Sequence, residues 1–243
     1  MNGTVVFLGP TLGLREAVKL LDADYRPPAA RSDVTKAVGE GIQTILLIDG
    51  HFHSVPTVTH KELMFALASG VRVIGAASLG ALRAAELEPF GMEGYGWVYE
   101  AYRSGSLTRD DEVAVQSAPE ELGFAPVTDA LVDIRGTLEA AKRAGVIDEE
   151  ADALLAMAQA THFPMRTWTN LIGQARAAGL DVDQLEAWLP QGRCSRKAED
   201  SKAVLTKLAD GSLPPKPNSS FTWAETFHFH RLRQSVGVVP PCD

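Results

Sequence analysis

The 243-residue sequence has only two cysteines, Cys194 and Cys242, and neither lies in a segment that looks catalytic. It contains no CxxC pair and no cluster of histidine and cysteine, which are the patterns that zinc sites need. It also lacks a G-x-G-x-x-G fingerprint and a G-x-x-x-x-G-K-[ST] loop, which disfavours nucleotide binding. We therefore expect neither a metal ion nor an organic cofactor.

Basic residues are scarce: 23 lysines and arginines face 31 aspartates and glutamates, for a formal net charge of -8. Nucleic acids and anionic membranes repel an acidic chain, so neither is an expected partner. No apolar run approaches the roughly 20 residues that cross a bilayer. The first residues lack the basic and apolar stretches of a secretory signal, which predicts a cytoplasmic location.

Apolar residues make up 45% of the chain, enough for a well-buried core. The first half alternates short β-branched runs with amphipathic segments, which indicates a doubly wound α/β fold, with a mostly parallel sheet and helices on both faces. The predicted strands are Thr4–Leu8, Asp24–Arg26, Gln43–Ile48, Arg72–Gly75 and Glu112–Gln116. The predicted helices are Leu14–Leu21, Val34–Glu40, one from Thr59 to Gly70, and Leu79–Leu87.

The second half of the chain is predicted to be α-helical. Its apolar residues recur at helical spacing, and prolines or glycines separate most of the segments. The predicted helices lie between Thr128 and Gly145 and at Glu149–Thr161, Arg166–Ala178, Val182–Leu189 and Arg196–Ala209. We divide the chain into an α/β core at 1–127, a helical region at 128–210, and a proline-rich linker with an aromatic tail at 211–243.

The most informative segment is Val71–Leu87, in which a buried strand runs through Ser78 directly into a helix. Small residues flank the serine, as in the G-x-S-x-G nucleophile elbow of hydrolases. Such a turn exposes the serine at the carboxyl ends of the strands, where ligands bind in this class of fold. The N–H groups of Leu79 and Gly80, with the helix dipole, would then stabilise an oxyanion.

A structural interpretation of the same segment stays open. Ser78 is a preferred residue at the N-cap of a helix, so its hydroxyl could simply cap Leu79–Leu87. Gly75 and Gly80 could serve only to let the strand and the helix pack closely. The sequence does not decide between a nucleophile and a cap.

A serine nucleophile needs a base within hydrogen-bond reach, and three candidates follow the third predicted strand. Asp49 ends that strand, and carboxylates at strand ends recur at sites in doubly wound folds. His60 and Lys61 begin the next helix and would serve in a Ser–His or a Ser–Lys pair. His51 and His53 lie in the intervening loop and are indistinguishable from ordinary loop histidines.

Other residues are candidates for binding a substrate. Gly9 and Pro10, in the turn after the first strand, would approach a ligand or supply an oxyanion donor. Arg26 and Arg31 flank a rigid proline pair and would grip a carboxylate or a backbone carbonyl, although a surface turn explains them equally well. Arg83 is a further candidate, but a local ion pair with Glu86 accounts for it.

Several strings, taken together and in order, resemble the TfuA family. They cover roughly residues 4 to 140 and read FLGP (Phe7–Pro10), YRPPAARSDV (Tyr25–Val34), LIDG (Leu47–Gly50), HKE (His60–Glu62), GAASLGALRAAEL (Gly75–Leu87), PFGMEG (Pro89–Gly94), VYEAYRSGSLT (Val98–Thr108) and DDEVAV (Asp110–Val115). The resemblance implies that the chain accompanies a YcaO enzyme, which activates a backbone amide of a ribosomal peptide so that a thioamide is installed.

The resemblance further implies sulfur delivery from a ThiS-like thiocarboxylated carrier protein, with the precursor peptide as a possible third partner. In that role Ser78 would attack the thioacid carbon, Lys61 or His60 would accept the proton, and Arg26 or Arg31 would guide the carrier tail. Two alternatives stay open: a non-catalytic activator or scaffold of YcaO, and an unrelated serine hydrolase that acts on small molecules.

Overall fold

The computed structural model describes residues 3–52, 55–217 and 221–239. Five strands form one all-parallel sheet in the order β2-β1-β3-β4-β5. The sheet confirms the predicted α/β fold, and its strand order reverses between β1 and β3, which makes a topological switch point. The strands are β1 (Thr4–Phe7), β2 (Asp24–Arg26), β3 (Thr44–Leu47), β4 (Arg72–Ala76) and β5 (Glu93–Tyr95).

The fifth strand is not where the sequence pattern places it. Asp110–Glu112 forms a short 3₁₀ turn, and the residues after it run outside the sheet. The prediction of a strand at Glu112–Gln116 is therefore wrong. The carboxylate of Glu112 is buried and accepts two hydrogen bonds from Arg135, at 3.0 and 2.9 Å, so this segment packs on the helical half of the chain and does not pair with a strand.

The described residues form eleven α-helices, and the helical character of the second half is confirmed. Their bounds are α1 (Leu14–Leu20), α2 (Asp33–Gly39), α3 (His60–Ala68), α4 (Leu79–Leu87), α5 (Trp97–Arg103), α6 (Leu131–Arg143), α7 (Glu150–Ala160), α8 (Trp168–Ala177), α9 (Asp183–Gly192), α10 (Arg196–Ala209) and α11 (Phe227–Ser235). None of the helices in the described ranges has the length and apolar character of a membrane-crossing helix.

Alternate residues of the strands face two separate cores, as the two-residue period of a strand requires. Val6 and its neighbours pack with α1 and α10 on one face of the sheet, whereas Val5 and its neighbours pack with α2, α3 and α4 on the other. Helix α10 thus returns from the C-terminal half to cover the sheet. Both faces are buried, which is why the strands read as nearly continuous apolar runs.

The helices α6 to α9 have a core of their own. Leu131, Ile134 and Leu138 of α6 contribute to it at helical spacing, together with Leu154 of α7 and Leu171 of α8. This core lies apart from the two that flank the sheet, while α10 joins the helical half to the sheet. The boundaries at 127 and 210 stay predictions.

Buried carboxylates cap helices that are distant in the sequence. Asp200 of α10 accepts hydrogen bonds from the backbone N–H groups of Trp97 and Val98, both at 2.8 Å, and so holds the start of α5. Glu62 of α3 completes a capping box with Thr59 and also accepts from the N–H of Ser32 at 2.7 Å. Burial raises the pKa of both carboxyl groups, against the opposing effect of these hydrogen bonds.

Candidate functional site

The connection between β4 and α4 is a tight turn centred on Ala77. Its φ angle is +65°, and the N–H of Ser78 donates to the carbonyl of Ala76 at 2.7 Å, as in a γ-turn. A positive φ at a residue other than glycine stores backbone strain and recurs at functional sites. The strained residue is the one immediately before the serine.

The two glycines around the turn are required by packing. A Cβ on Gly80 would overlap the carbonyl oxygen of Leu47, and a Cβ on Gly75 would overlap the carbonyl oxygen of Gly80. The N–H of Gly80 donates to the carbonyl of Ile48 at 3.1 Å, which binds the first turn of α4 to the end of β3. Close packing of the strand and the helix therefore requires both glycines, and this packing positions Ser78 at the carboxyl edge of the sheet.

The hydroxyl of Ser78 does not cap α4. Ser78 occupies the N-cap position and its carbonyl accepts the N–H of Ala81 at 3.0 Å, but its side chain makes no capping hydrogen bond. By contrast, the side chains of Thr59, Thr167 and Ser195 do cap α3, α8 and α10. Serine is preferred at the N-cap because its side-chain oxygen accepts a backbone N–H of the first helical turn. Ser78 makes no such bond, so the cap interpretation loses its physical basis.

Ser78 lines a cavity of about 340 Å³ at the carboxyl edge of the sheet. Its walls come from the turn after β1, the loop after β3 and the segment 113–117, and they include Pro10, Asp49 and His51. Ser78 itself is only 2% exposed. The cavity lies at the position where doubly wound folds bind their ligands.

Asp49 fixes one wall of this cavity. Its buried carboxylate accepts the N–H groups of Gly9 and Thr11 at 2.9 and 3.1 Å and the hydroxyl of Thr11 at 2.5 Å. These bonds hold the turn that carries Pro10 into the cavity. The carboxylate is thus engaged by the turn, and a catalytic role for Asp49 stays a prediction.

His60 lies elsewhere, in a small ionic cluster between α3 and α4. Its Nε2 is 2.8 Å from Glu86 and 3.4 Å from Nη1 of Arg83. Arg83 and Glu86 form the expected local ion pair at 2.5 Å. Neither His60 nor Arg83 lines the cavity that contains Ser78.

Lys61 contacts the C-terminal segment and does not line the cavity. Its Nζ donates to the carbonyl of Ala224 at 3.2 Å and lies 5.0 Å from the ring centroid of Trp223. Trp223 and Phe229 both pack on the ring of Phe65 in α3. The structure therefore gives Lys61 an anchoring contact with the tail, and the base role predicted for His60 and Lys61 gains no support from geometry.

The two predicted substrate arginines are also outside the cavity. Arg26 makes ion pairs with Asp24 at 2.7 Å and with Glu40 at 2.5 Å, which occupy its guanidinium. Arg31 is exposed. Their roles in guiding a carrier tail stay predictions, because neither arginine lines the serine cavity.

The amide groups predicted as oxyanion donors differ in availability. Those of Gly9 and Gly80 are already bonded, to Asp49 and to Ile48, and Pro10 has no N–H to offer. The N–H of Leu79 has no acceptor among the residues that the structure describes. It follows the serine directly, which is where a nucleophile elbow has its oxyanion donor.

His51 is the imidazole that the structure brings to the serine cavity. From the sequence it was one of two loop histidines, and His53, the other, lies outside the described residues. The available signal is its position, three residues after the end of the third predicted strand at Ile48. The residues in the described ranges contain no group of three histidine, cysteine or acidic side chains that could hold a metal ion.

Three basic side chains hold the segment that forms the far wall of the cavity. Arg166 is fully buried and donates to the carbonyl and the carboxylate of Asp111 at 2.9 and 2.6 Å. Arg135 binds Glu112, and Nζ of Lys197, which is 2% exposed, donates to the carbonyl of Val113 at 2.8 Å. The helical half of the chain thus fixes this wall of the serine cavity.

No curated protein matches the chain. A protein-family comparison does match it: residues 49–167 fit the model for "TfuA-like protein". The matched residues run from Asp49 through Ser78 to the wall segment and Arg166, and the strings at Phe7–Pro10 and Tyr25–Val34 lie outside the match. The family associates the chain with YcaO-dependent thioamidation. The resemblance seen in the sequence is confirmed over this segment, which covers just under half of the chain and is similar to TfuA-like proteins.

Proposed function

We propose that this chain supplies sulfur to a YcaO enzyme by hydrolysing the C-terminal thiocarboxylate of a ThiS-like carrier protein, with Ser78 as the nucleophile. The observation that carries the proposal is the hydroxyl of Ser78, which caps nothing and lines a cavity at the switch point of the sheet. The family association with thioamidation supplies the substrate class.

The reaction divides into two acyl transfers. Oγ of Ser78 attacks the thioacid carbon, its proton passes to the base, and the C–S bond breaks to release hydrosulfide. Water then attacks the resulting ester, so that the carrier leaves as a carboxylate and the serine regains its proton. No oxidant or reductant is required at either step.

His51 is the base that the geometry favours, because it lines the cavity together with Ser78. His60 and Lys61 remain the candidates that the sequence pattern suggests, and each already has other partners. The N–H of Leu79 and the positive end of the α4 dipole would stabilise the oxyanion of each tetrahedral intermediate.

A second candidate function is non-catalytic activation of YcaO. One observation favours it: the two predicted bases, His60 and Lys61, contact α4 and the C-terminal tail instead of the serine. In that case Ser78 would contribute only to the wall of the cavity. An unrelated hydrolase of small molecules is disfavoured by the family match.

Thioamide formation by the YcaO partner distinguishes the two functions. The reaction is run with ATP, the precursor peptide and either the thiocarboxylated carrier or free sulfide, using wild type and Ser78→Ala. We expect Ser78→Ala to fail with the carrier and to recover fully with free sulfide. Equal yields from wild type and Ser78→Ala with the carrier would contradict a catalytic serine.

A further inference from the structure

A second cavity, of about 360 Å³, adjoins the serine cavity along the carboxyl edge of the sheet. The two cavities share Pro10 and Val115 as lining residues, so these residues form the ridge between them. Beyond the ridge, the second cavity is lined by the buried Lys197, by Thr128 and by Cys194. Nothing in the proposed hydrolysis uses this second cavity.

The ridge has unused hydrogen-bonding groups. Among the described residues, nothing bonds the backbone N–H or the carbonyl of Val115, although the residues on either side are held. The carbonyl of Val113 accepts from Lys197 at 2.8 Å, and the N–H of Gln116 donates to Thr128 Oγ1 at 2.8 Å. Val115 is half-buried, so its N–H and carbonyl are open to pairing with a ligand.

An extended polypeptide is the ligand that matches this arrangement. A strand added to an exposed backbone segment pairs with both the N–H and the carbonyl of one residue, and its side chains occupy pockets on either side. A small molecule confined to the serine cavity would leave Val115 and the second cavity unused. Because Lys197, Arg135 and Arg166 hold the segment around Val115, little ordering would be needed on binding.

We infer that the two cavities form one binding groove for the extended C-terminal tail of a polypeptide, which crosses Val115 with its reacting end at Ser78. The inference rests on the proposed function for the direction of the tail. Residues preceding the end lie in the second cavity, against Cys194 and Thr128. An extended chain advances about 3.3 Å per residue, so a probe of several residues is needed to reach from Ser78 across Val115 into the second cavity.

The test compares sulfide release from two probes: N-acetylglycine thiocarboxylate, and an N-acetylated hexapeptide that ends in the same thiocarboxylate. Wild type should process the hexapeptide at least about tenfold more efficiently, with the difference mainly in KM. Cys194→Trp, which fills the second cavity, should remove this advantage and leave the short probe unchanged. The control Val18→Trp, which adds the same side chain at an exposed position outside both cavities, should change neither rate.

The backbone pairing is tested separately at the ridge. Val115→Pro removes the N–H group, whereas Val115→Ala keeps it and removes most of the side chain. Only Val115→Pro should raise KM for the hexapeptide, in a protein whose thermal melting shows that it is folded. Equal efficiency of wild type on both probes, or equal effects of Cys194→Trp on both probes, would overturn the groove.

If wild type releases no sulfide from either probe, the proposed hydrolysis fails and the groove is tested by binding. A fluorescently labelled hexapeptide with an ordinary carboxylate end is titrated into wild type, Cys194→Trp and Val18→Trp. Binding that is lost only in Cys194→Trp supports the groove. Absence of binding to wild type overturns it.

Discussion

The carbonyl oxygen of Leu47, at the end of β3, occupies the position that a Cβ atom on Gly80 of α4 would need. This contact lets the first turn of α4 rest directly on the neighbouring strand. Together with the strained Ala77, it fixes Ser78 at the carboxyl edge of the sheet. Any side chain at position 80 must displace either the strand or the helix that carries the serine.

Gly80→Ala should therefore lower the free energy of unfolding by about 1–3 kcal/mol, the usual effect of overpacking, and should impair sulfide release. Gly173 is the matched control, because it lies inside α8 and an added Cβ would meet nothing within 4 Å. Gly173→Ala should raise stability by about 0.5–1 kcal/mol. Urea unfolding of both variants checks the pair, and similar losses in both would contradict the packing account.

Ser78→Ala should change stability by less than about 0.5 kcal/mol, because the hydroxyl makes no capping bond. Thr167→Ala should cost about 1 kcal/mol, because Thr167 accepts the N–H of Asn170 at 3.1 Å at the start of α8. Thermal or urea unfolding compares the two. A loss in Ser78→Ala that equals the loss in Thr167→Ala would restore the cap interpretation of Ser78.

Substitution of the candidate bases distinguishes His51, which the cavity favours, from His60 and Lys61, which the sequence pattern favours. We expect His51→Ala to reduce sulfide release by a factor of about 10²–10⁴, the usual contribution of a general base. His60→Ala and Lys61→Met should retain most of the activity, since neither side chain lines the serine cavity. A larger loss of activity in His60→Ala or Lys61→Met than in His51→Ala would contradict His51 as the base and favour a base at the start of α3.

The wall of the cavity should become less stable in acid. Burial alone would raise the pKa of Asp111, but hydrogen bonds from Arg109 and Arg166 hold it below its ordinary value of 3.8. A depressed pKa in the folded state gives stability that is present above 3.8 and is lost as the pH falls through the folded value.

The measurement for Asp111 is urea unfolding of wild type and Asp111→Asn between about pH 6 and pH 3. The stability advantage of wild type should be constant in the upper part of this range and should shrink as the pH falls below about 4. Asp152→Asn, at an exposed position of α7, controls for general acid effects. An advantage of wild type that does not depend on pH would contradict the ion pairs of Asp111.

The sequence predicts those helices and strands whose apolar pattern and end residues lie within the segment itself. Helix α4 begins and ends at the predicted residues, and β1, β3 and β4 follow apolar runs that are buried on both faces. Helix α5 is not predicted, because its N-terminus is held by Asp200, which follows it by about a hundred residues. A cap supplied from such a distance leaves no local signal.

The parts of the site that depend on distant contacts are likewise invisible in the sequence. The serine turn is visible in the sequence because strand, serine and helix are contiguous. The segment around Val113 lines the serine cavity with the help of contacts such as that of Lys197 with Val113, which are 84 positions apart. The loop of His51 is held by the N–H of His51, which donates to the carbonyl of Ala29 at 3.3 Å. Local spacing instead suggested His60 and Lys61, whose contacts with α4 and the tail are equally invisible in the sequence.

The most direct test of a serine-dependent hydrolase uses the purified chain without a YcaO enzyme. Sulfide release from a thiocarboxylated ThiS-type carrier is measured with wild type, Ser78→Ala and Thr167→Ala as a folded control. The account predicts release by wild type and Thr167→Ala and none above background by Ser78→Ala. Equal release by wild type and Ser78→Ala, or none by wild type although it supports thioamidation with the carrier, would contradict it.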